Sequence, residues 1–422
     1  MDMIRSARLT KRARGRGKKD FLENILPPYL DYVKEKRQQD LSKLSTSELI
    51  EELDSRITRV LDEFGKESLK PGFFGGVALG ALEGLLVQLM GEEKGVQLSR
   101  TLVMALEEDT TIEQNIMLHR VAGGEISMDE FLERFGHRTI GEMELSEPRW
   151  HEDSGFLHNT VSSLNTPGMR SPEEIHKENT VRRKEAEEAL KTILPEYGGA
   201  SFREEIVENM KEAQELLPYR ETAKHYLMMG YDLVRRAIRE LDRRWKTGGD
   251  VFFLRLDELQ KFETETDTLR QKISERKKFR SAARTLSPAE VIASDDLDKL
   301  GLPEEFEAAS ELKGDPVAAG AAEGPAAVVF DPRQAGDPGA GYILVCPSTD
   351  PGWTSLFVRA AGLVVERGGA LSHGAIVARD FGIPAVVCPN ATARIKNGER
   401  IRVDGNRGTI VICDNAEKSE SA

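Results

Sequence analysis

The chain has 422 residues, enough for two or three domains that each bury a core. A formal net charge of −13 argues against extensive nucleic-acid binding, and three cysteines without metal-ligand spacing indicate ordinary thiols in a reducing compartment. The basic N-terminus lacks the apolar run of a secretory signal, so we expect a soluble, cytoplasmic protein with neither nucleic acid nor membrane as partner.

The first twenty residues are strongly basic although the chain as a whole is acidic. The run RSARLTKRARGRGKKD (5–20) predicts that residues 1–20 form a disordered, solvated arm. A docking arm for an acidic partner surface is the alternative, followed by an arm that binds RNA or an anionic membrane.

Residues 21–296 have the pattern of an all-α domain. In LSTSELIEELDSRITRVLDEF (44–64), apolar residues recur every three or four positions behind Ser45, which can cap the helix. The stretches 171–194 and 225–245 repeat this pattern. The apolar window 73–90 carries glycines and Glu83, which favours a buried helix over a membrane span. Core packing is its expected role, and lining a pocket for an apolar alcohol or phenol is the alternative.

The composition changes after residue 296 and indicates a small α/β domain. We expect a Gly/Ala/Pro-rich linker at 297–325, the α/β domain at 326–413 and a tail at 414–422. Short β-branched runs separated by Gly, Pro, Asp and Asn predict six strands. They lie at 326–330, 342–346, 362–366, 385–388, 399–403 and 408–413.

The stretch GGALSHGAIVARDFGIPAVV (368–387) combines a glycine turn, a serine that can cap a helix, and a histidine in the first helical turn. We expect Ser372 to cap a helix over 373–381, whose free N–H groups form a small anion site. The positive helix end favours the neutral imidazole of His373, which is a nucleophile. Arg379, one to two turns on, can help to hold the charge of a phosphoryl group on that ring. The alternative is a structural histidine at a helix start; no metal site is expected, because no second ligand lies at suitable spacing.

This stretch closely resembles the signature of the phosphohistidine swivelling domain of the enzymes that use phosphoenolpyruvate. The resemblance extends over 312–413, through STDPGWTSLFVRAAGLVVERGG (348–369) and IKNGERIRVDGNRGTIVI (395–412). It implies that His373 carries a phosphoryl group and swings between a nucleotide site and an acceptor site. Residues Gly368, Gly369, Ser372 and Arg379 would then support the phosphate as hydrogen-bond or packing neighbours.

The helical part resembles the substrate-binding domain of the rifampin phosphotransferases and their phosphoenolpyruvate-synthase-like relatives. The resemblance rests on FGHRTIGEMELSEPRWHED (135–153) and on PYRETAKHYLMMGYDLVRRAIRELDRRW (218–245). Five polar residues in these segments are candidates for the acceptor site: His137, Arg138, Glu142, Arg149 and Arg220. The alternative is a buried ion-pair network that joins two helices. His119, His176 and His225 are expected on polar helix faces.

The sequence shows neither an ATP-grasp pattern nor a Walker motif, and no barrel domain follows the swivelling domain. We therefore expect a subunit of a split ATP-dependent phosphotransferase or dikinase, with ATP and Mg²⁺ on a separate ATP-grasp subunit. The acceptor would be a small molecule with a hydroxyl group, such as a phenol, an alcohol or an antibiotic. The alternatives are a regulatory or scaffold protein phosphorylated on His373, and a non-catalytic ligand-binding protein.

Overall fold

The computed structural model describes residues 17–164, 171–196, 199–284, 286, 309–370 and 372–413. A helical domain extends to Ala283, and a domain of mixed sheet and helices begins at Glu311. The expected fold class, an all-α domain followed by a small α/β domain, is confirmed.

α-Helices of four residues or more account for most of the helical domain. They are α1 (Leu26–Gln38), α2 (Thr46–Ile57), α3 (Lys70–Met90), α4 (Glu92–Thr101), α5 (Thr110–Ala122), α6 (Met128–Phe135), α7 (Gly155–Leu164), α8 (Pro172–Ile193), α9 (Ala200–Leu216), α10 (Tyr219–Trp245), α11 (Leu256–Leu259) and α12 (Thr266–Ala283). The predicted helices at 44–64, 171–194 and 225–245 all lie within helical segments. Ser45 and Ser171 each form a capping box, with Glu48 and Glu174 respectively.

Helix α10 runs through the centre of the helical domain and buries 16 of its 27 residues. Its packing depends on Gly230, because a Cβ at this position would lie 2.2 Å from the Tyr29 hydroxyl and 2.6 Å from the Val60 methyls. The first turn of α10 reaches the boundary with the second domain, where it presents polar side chains.

Helix α3 contains the apolar window 73–90, and the helical stretch Thr46–Met90 is the one candidate span in the described chain by length and composition. One face of α3, including Ala78, Leu82 and Leu86, is buried, and Gly75 lies against the backbone of α9. This packing places one face of the apolar window inside the helical domain.

The second domain is built on an eight-stranded sheet in the order β1-β8-β7-β3-β4-β5-β6-β2. Its elements are β1 (Glu311–Lys313), β2 (Asp315–Ala318), β3 (Ala321–Val328), β4 (Tyr342–Cys346), α13 (Thr354–Arg359), β5 (Ala360–Val365), α14 (His373–Phe381), β6 (Ala385–Val387), α15 (Ala391–Arg394), β7 (Arg400–Asp404) and β8 (Thr409–Ile412). Strands β3 to β6 are parallel, and the remaining pairs are antiparallel.

The predicted linker at 297–325 is wrong over its second part, because β1, β2 and the first half of β3 lie there. These strands are short or rich in small residues, and Pro316 and Pro325 lie in two of them. Strand β1 pairs with β8 and β2 pairs with β6, so distant partners specify them rather than local propensity. Residues 297–308 of the predicted linker, like the predicted tail 414–422, lie outside the described residues.

The N-terminal arm is also shorter than expected. Residues 17–20 are already helical and lead into the helical segment at Phe21, so the last four positions of the predicted arm 1–20 are wrong. Lys18 explains part of this order, because its ammonium group pairs with Glu108 at 2.8 Å and lies over the ring of Tyr219. Residues 1–16 lie outside the described residues.

The two domains are in contact on both sides of helix α14. On one side, Asn179 of α8 donates from Nδ2 to the Asp380 carbonyl at 2.7 Å. On the other, the Gly141 amide donates to Asp350 at 2.7 Å, and a Cβ at Gly352 would lie 2.2 Å from Ile140 Cγ1. With these contacts, the first turn of α14 packs against the first turn of α10.

Candidate active site between the two domains

The glycine turn and the helix behind it form as the sequence predicts. Gly368 has a φ of +139°, a conformation that favours glycine, and a Cβ there would lie 2.7 Å from Ser372 Cβ. The Ser372 amide donates to the Gly369 carbonyl at 2.8 Å, and its hydroxyl accepts the Ala375 amide at 3.3 Å. Ser372 is therefore the N-cap of α14, and His373 is the first residue of that helix.

Arg379 supports this loop from behind. Its Nη1 donates to the Ala370 carbonyl at 2.7 Å and to the Val317 carbonyl at 3.2 Å, and its side chain is buried. These contacts fix the turn relative to strand β2. A phosphate-supporting role of Arg379 through packing remains a prediction, since the hydrogen bonds of its guanidinium end on the protein backbone.

His373 is 6% exposed and faces the helical domain. Its Nδ1 lies 3.2 Å from Oε2 of Glu221 in the first turn of α10. When Glu221 is ionised, Nδ1 carries the ring proton and donates it to the carboxylate, which leaves the lone pair on Nε2. The ring is thereby oriented, with Nε2 as the nucleophilic atom, by a carboxylate on the other domain.

Glu221 is fully buried, and cationic groups surround it. Arg220 Nη1 donates to its Oε1 at 2.6 Å, and the Thr111 hydroxyl donates to its Oε2 at 3.3 Å. Burial alone would raise the pKa of Glu221, but His373, Lys224 and Arg220 hold that pKa well below its usual range. The carboxylate is therefore ionised at neutral pH.

Lys224 connects Glu221 to a second buried carboxylate. Its ammonium group lies 2.8 Å from Glu142 Oε1, and Arg138 binds Glu142 through Nε at 2.5 Å and Nη2 at 3.1 Å. Burial opposes ionisation here too, yet Arg138 and Lys224 lower the pKa of Glu142 to about 2. Arg149 donates from Nη1 to the Glu142 carbonyl at 2.8 Å. These contacts are those of the ion-pair network that was the alternative for Arg138, Glu142 and Arg149.

Two buried histidines lie at the side of this network. His137 Nε2 contacts the His225 carbonyl at 3.1 Å, and the two rings pack edge to face. Burial and Arg138 lower the pKa of His137 to about 3, so the ring is neutral. The expectation that His225 lies on a polar surface is wrong, because its side chain is fully buried against Phe135 and His137. His119 and His176 are partly buried.

The matches to known families divide the chain at the same place as the fold. Residues 338–408 match the mobile domain of PEP-utilising enzymes, and residues 84–221 match the rifampicin phosphotransferase fourth domain. The second domain is a mobile domain of the PEP-utilising enzymes. The first carries the fourth-domain type of rifampicin phosphotransferase, so both resemblances seen in the sequence are confirmed.

Three curated relatives illustrate the range of proteins with these domains. The rifampicin phosphotransferase of Streptomyces sviceus is 32% identical over 320 residues, which cover 73% of this chain and 36% of that protein. The prodigiosin synthesizing transferase of Serratia marcescens is 30% identical over 300 residues, 67% of this chain and 33% of that protein. The phosphoenolpyruvate synthase of Aquifex aeolicus is 48% identical over 98 residues, 23% of this chain and 11% of that protein. The chain thus spans about a third of the length of the first two relatives.

A cleft of about 470 Å³ lies between the mobile domain and helix α3. Gly368, Gly369, Ala370 and Ser372 form one wall, and Gly76, Leu79, Gly80 and Glu83 form the opposite wall. Arg100 and Arg220 complete the lining. Arg220 is therefore the acceptor-site candidate that borders open space, whereas His137, Arg138, Glu142 and Arg149 lie buried behind it.

Among the described residues, His151, Glu152 and Asp232 form one group with the spacing of metal ligands. Arginines already pair with its carboxylates, however: Arg235 binds both oxygens of Glu152, and Arg236 lies 3.0 Å from Asp232. The donor set therefore fits an ion-pair cluster better than a Mg²⁺ site, which requires carboxylate oxygens free to bind the cation.

Sequence reasoning missed Glu221, Lys224, Thr111 and Arg100. The first two stand beside Arg220 in PYRETAKHY, and their spacing by three places them on one face of a helix. That spacing was the available signal. The role of Thr111 depends on a contact between distant helices, and that of Arg100 on the cleft between the domains; the sequence holds no local signal for either.

Proposed function

We propose that this chain is the phosphohistidine-carrying component of an ATP-dependent phosphotransferase. His373 receives a phosphoryl group that originates from ATP, and the mobile domain delivers it to a hydroxyl-bearing small molecule at the helical domain. The observation that carries the proposal is the contact between His373 Nδ1 and Glu221 Oε2 across the domain interface, because it orients Nε2 as the nucleophile. The phosphotransferases among its relatives support this kind of reaction.

In the transfer step, an acceptor hydroxyl oxygen forms the new bond to phosphorus while the Nε2–P bond breaks. The electron pair of that bond returns to Nε2, and the hydroxyl proton passes to water in the cleft. While Nε2 carries the phosphoryl group, a proton on Nδ1 makes the ring cationic and hence a better leaving group. Glu221 stabilises this cation through its hydrogen bond to Nδ1, so its charge acts where positive charge is highest.

The cleft beside the loop is the proposed acceptor site. Leu79, Gly76 and Gly80 offer an apolar wall, and Arg220 lies at its cationic part. This lining suits a hydroxyl on an apolar body, such as a phenol, an alcohol or an antibiotic. ATP and Mg²⁺ would bind to a separate ATP-grasp subunit, and the mobile domain would travel between that subunit and this cleft.

The test uses protein purified from its native cells, with wild type and His373→Ala side by side. The wild type should carry a phosphate that survives base and is lost in acid, should co-purify with an ATP-grasp protein, and should transfer the phosphate to a hydroxyl compound. His373→Ala should carry none. Equal labelling of both proteins would contradict the carrier role. A phosphohistidine whose phosphoryl group passes to no small molecule would favour the regulatory alternative.

A further inference from the structure

Two guanidinium groups border the cleft beside His373, and one of them has no role in the contacts described so far. Arg220 lies at the start of α10 and binds Glu221. Arg100 lies in the last turn of α4 and reaches the same cleft from the opposite side. Residues 98–101 showed no signal in the sequence, and Arg100 does not take part in the network around Glu142.

The hydrogen bonds of Arg100 are incomplete. The residue is 7% exposed, and its Nη2 pairs with Glu83 Oε2 at 2.7 Å. Its Nε is buried and has no hydrogen-bond partner within the described part of the chain. Glu83 is itself shared, because the Ser99 hydroxyl donates to the same oxygen at 3.0 Å. A buried guanidinium normally has its N–H donors paired, so the hydrogen bonding of Arg100, a residue that lines the cleft, is incomplete without a further acceptor.

Positive charge is in excess around the glycine loop that precedes His373. Burial lowers the pKa of Arg379 to about 9, and the neighbouring Arg100 and Arg220 contribute to that shift. Three guanidinium groups thus approach the loop. The ionised carboxylate nearest to Arg220 is Glu221, which also serves His373 and Thr111. A doubly charged anion at the loop would relieve this repulsion.

We propose that Arg100 and Arg220 form a phosphoryl clamp, in which Arg100 binds the oxygens of the phosphoryl group during its transfer between His373 and the acceptor. The inference rests on the proposed function and deepens it by naming a second cation for the transferring group. Arg100 takes no part in the bond changes; its planar fork supplies hydrogen bonds and charge to the equatorial oxygens. Glu83 accepts from Nη2 of the guanidinium and thereby sets its orientation.

Two measurements on the full chain separate this inference from the proposed function. Isothermal titration calorimetry with inorganic phosphate measures the clamp, and treatment with phosphoramidate, followed by ³¹P NMR, measures whether His373 forms phosphohistidine. We expect wild type to bind phosphate, and Arg100→Gln to weaken that binding ~10-fold or more. Arg100→Lys should recover part of the affinity, since an ammonium keeps the charge but loses the fork. Arg243→Gln, at an exposed pair with Glu240, serves as the matched control.

Glu83→Gln distinguishes a specific effect on phosphate binding from misfolding, which could also explain lost affinity in Arg100→Gln. It removes the carboxylate that competes for Arg100, so phosphate should bind more tightly, which general destabilisation would not produce. Phosphate binding that is absent in wild type, or unchanged in Arg100→Gln, would overturn the clamp. Phosphohistidine with unchanged phosphate affinity would remove the clamp and leave the carrier role intact. Loss of affinity in Arg100→Gln without any phosphohistidine in wild type would keep the clamp and remove the carrier role.

Discussion

Two carboxylate sites at the same domain interface are held in opposite charge states. Glu221 lies among Arg220, Lys224 and His373, and these groups keep its pKa low in spite of full burial. Asp109, at the start of α5, and Asp380, near the end of α14, instead have pKa values that burial raises above the usual range. Glu221 is ionised beside His373, whereas the raised pKa values of Asp109 and Asp380 favour the protonated acids where the domains meet.

The contacts of Asp109 and Asp380 explain why a negative charge is unfavourable at this second site. Burial, and then Glu221, raise the pKa of Asp109 to about 7, although the Thr111 amide donates to it at 2.7 Å. Burial, and then Asp109, raise the pKa of Asp380 well above its usual range. Its Oδ1 accepts the Ala105 amide at 3.2 Å, while Oδ2 is buried without a partner among the described residues. A protonated carboxyl fits these surroundings better than a carboxylate.

The difference in charge state indicates that the two carboxylate sites have different roles at the interface. In the proposed transfer the Glu221 site needs charge, because the carboxylate would stabilise a cationic phosphohistidine ring. The Asp109–Asp380 site needs a proton, because closing the interface there removes both carboxyls from water. Chemistry and docking therefore respond to different substitutions, and each prediction below perturbs one of them.

The largest effect is expected for Glu221→Gln, which keeps the shape of the side chain and removes its charge. The amide oxygen can still accept the Nδ1 proton, but it no longer stabilises a cationic ring, so transfer from phosphohistidine should slow about 10²-fold or more. Phosphoramidate loading followed by ³¹P NMR of the decay, with and without an acceptor such as phenol, measures this rate.

Glu258→Gln is the matched control for that variant. Glu258 is also a buried carboxylate that binds an arginine, Arg276, but it lies between α11 and α12, away from the interface. Its loss should reduce stability and leave transfer unchanged. Equal slowing in both variants would mean that Glu221 acts through stability alone.

The sequence predicts the histidine side of this site much better than the side facing it. Ser372, the glycines and the helix at 373–381 are local features, because a cap and a turn depend on neighbours a few residues away. Six of the eight strands were found for the same reason, as β-branched runs between turn residues. Strands β1 and β2 were missed, since three- and four-residue edge strands carry little local signal.

The facing side depends on contacts between distant positions. Glu221 and His373 are 152 residues apart in sequence, and neither residue's neighbours reveal the pairing. Residues Arg138, Glu142 and Arg149 were found as a polar cluster, but sequence alone leaves open whether such a cluster faces a ligand or is buried. The ranking of Arg220 above them required the position of the cleft.

A smaller effect is expected for Asp350→Ala, which tests docking between the two domains. Asp350 accepts the Gly352 amide of its own loop at 2.9 Å and the Gly141 amide of the helical domain at 2.7 Å. Loss of these bonds should weaken docking by about 2 kcal/mol, the contribution of a hydrogen bond to a charged acceptor. Hydrogen exchange at Gly141 and along α14 should quicken. Asp40→Ala, which removes a similar carboxylate–amide bond to Ser42 outside the interface, should leave both regions protected.

The smallest effect is expected in the pH dependence of stability, and Asp380→Asn tests it. The folded-state pKa values of Asp109 and Asp380 are raised above their unfolded values, so the folded protein binds more protons. The free energy of unfolding should therefore fall as pH rises from about 4 to about 7, by up to ~1.4 kcal/mol per pH unit for each proton.

Asparagine mimics the protonated acid and removes the charge that faces Asp109. Urea unfolding of Asp380→Asn at pH 4.5, 6 and 7.5 should show a shallower slope and higher stability than wild type at pH 7.5, whereas Asp31→Asn at an exposed site should keep the wild-type slope. A variant with the unaltered slope would show that Asp380 binds no extra proton in the folded state, and the contrast with Glu221 would then rest on Asp109 alone.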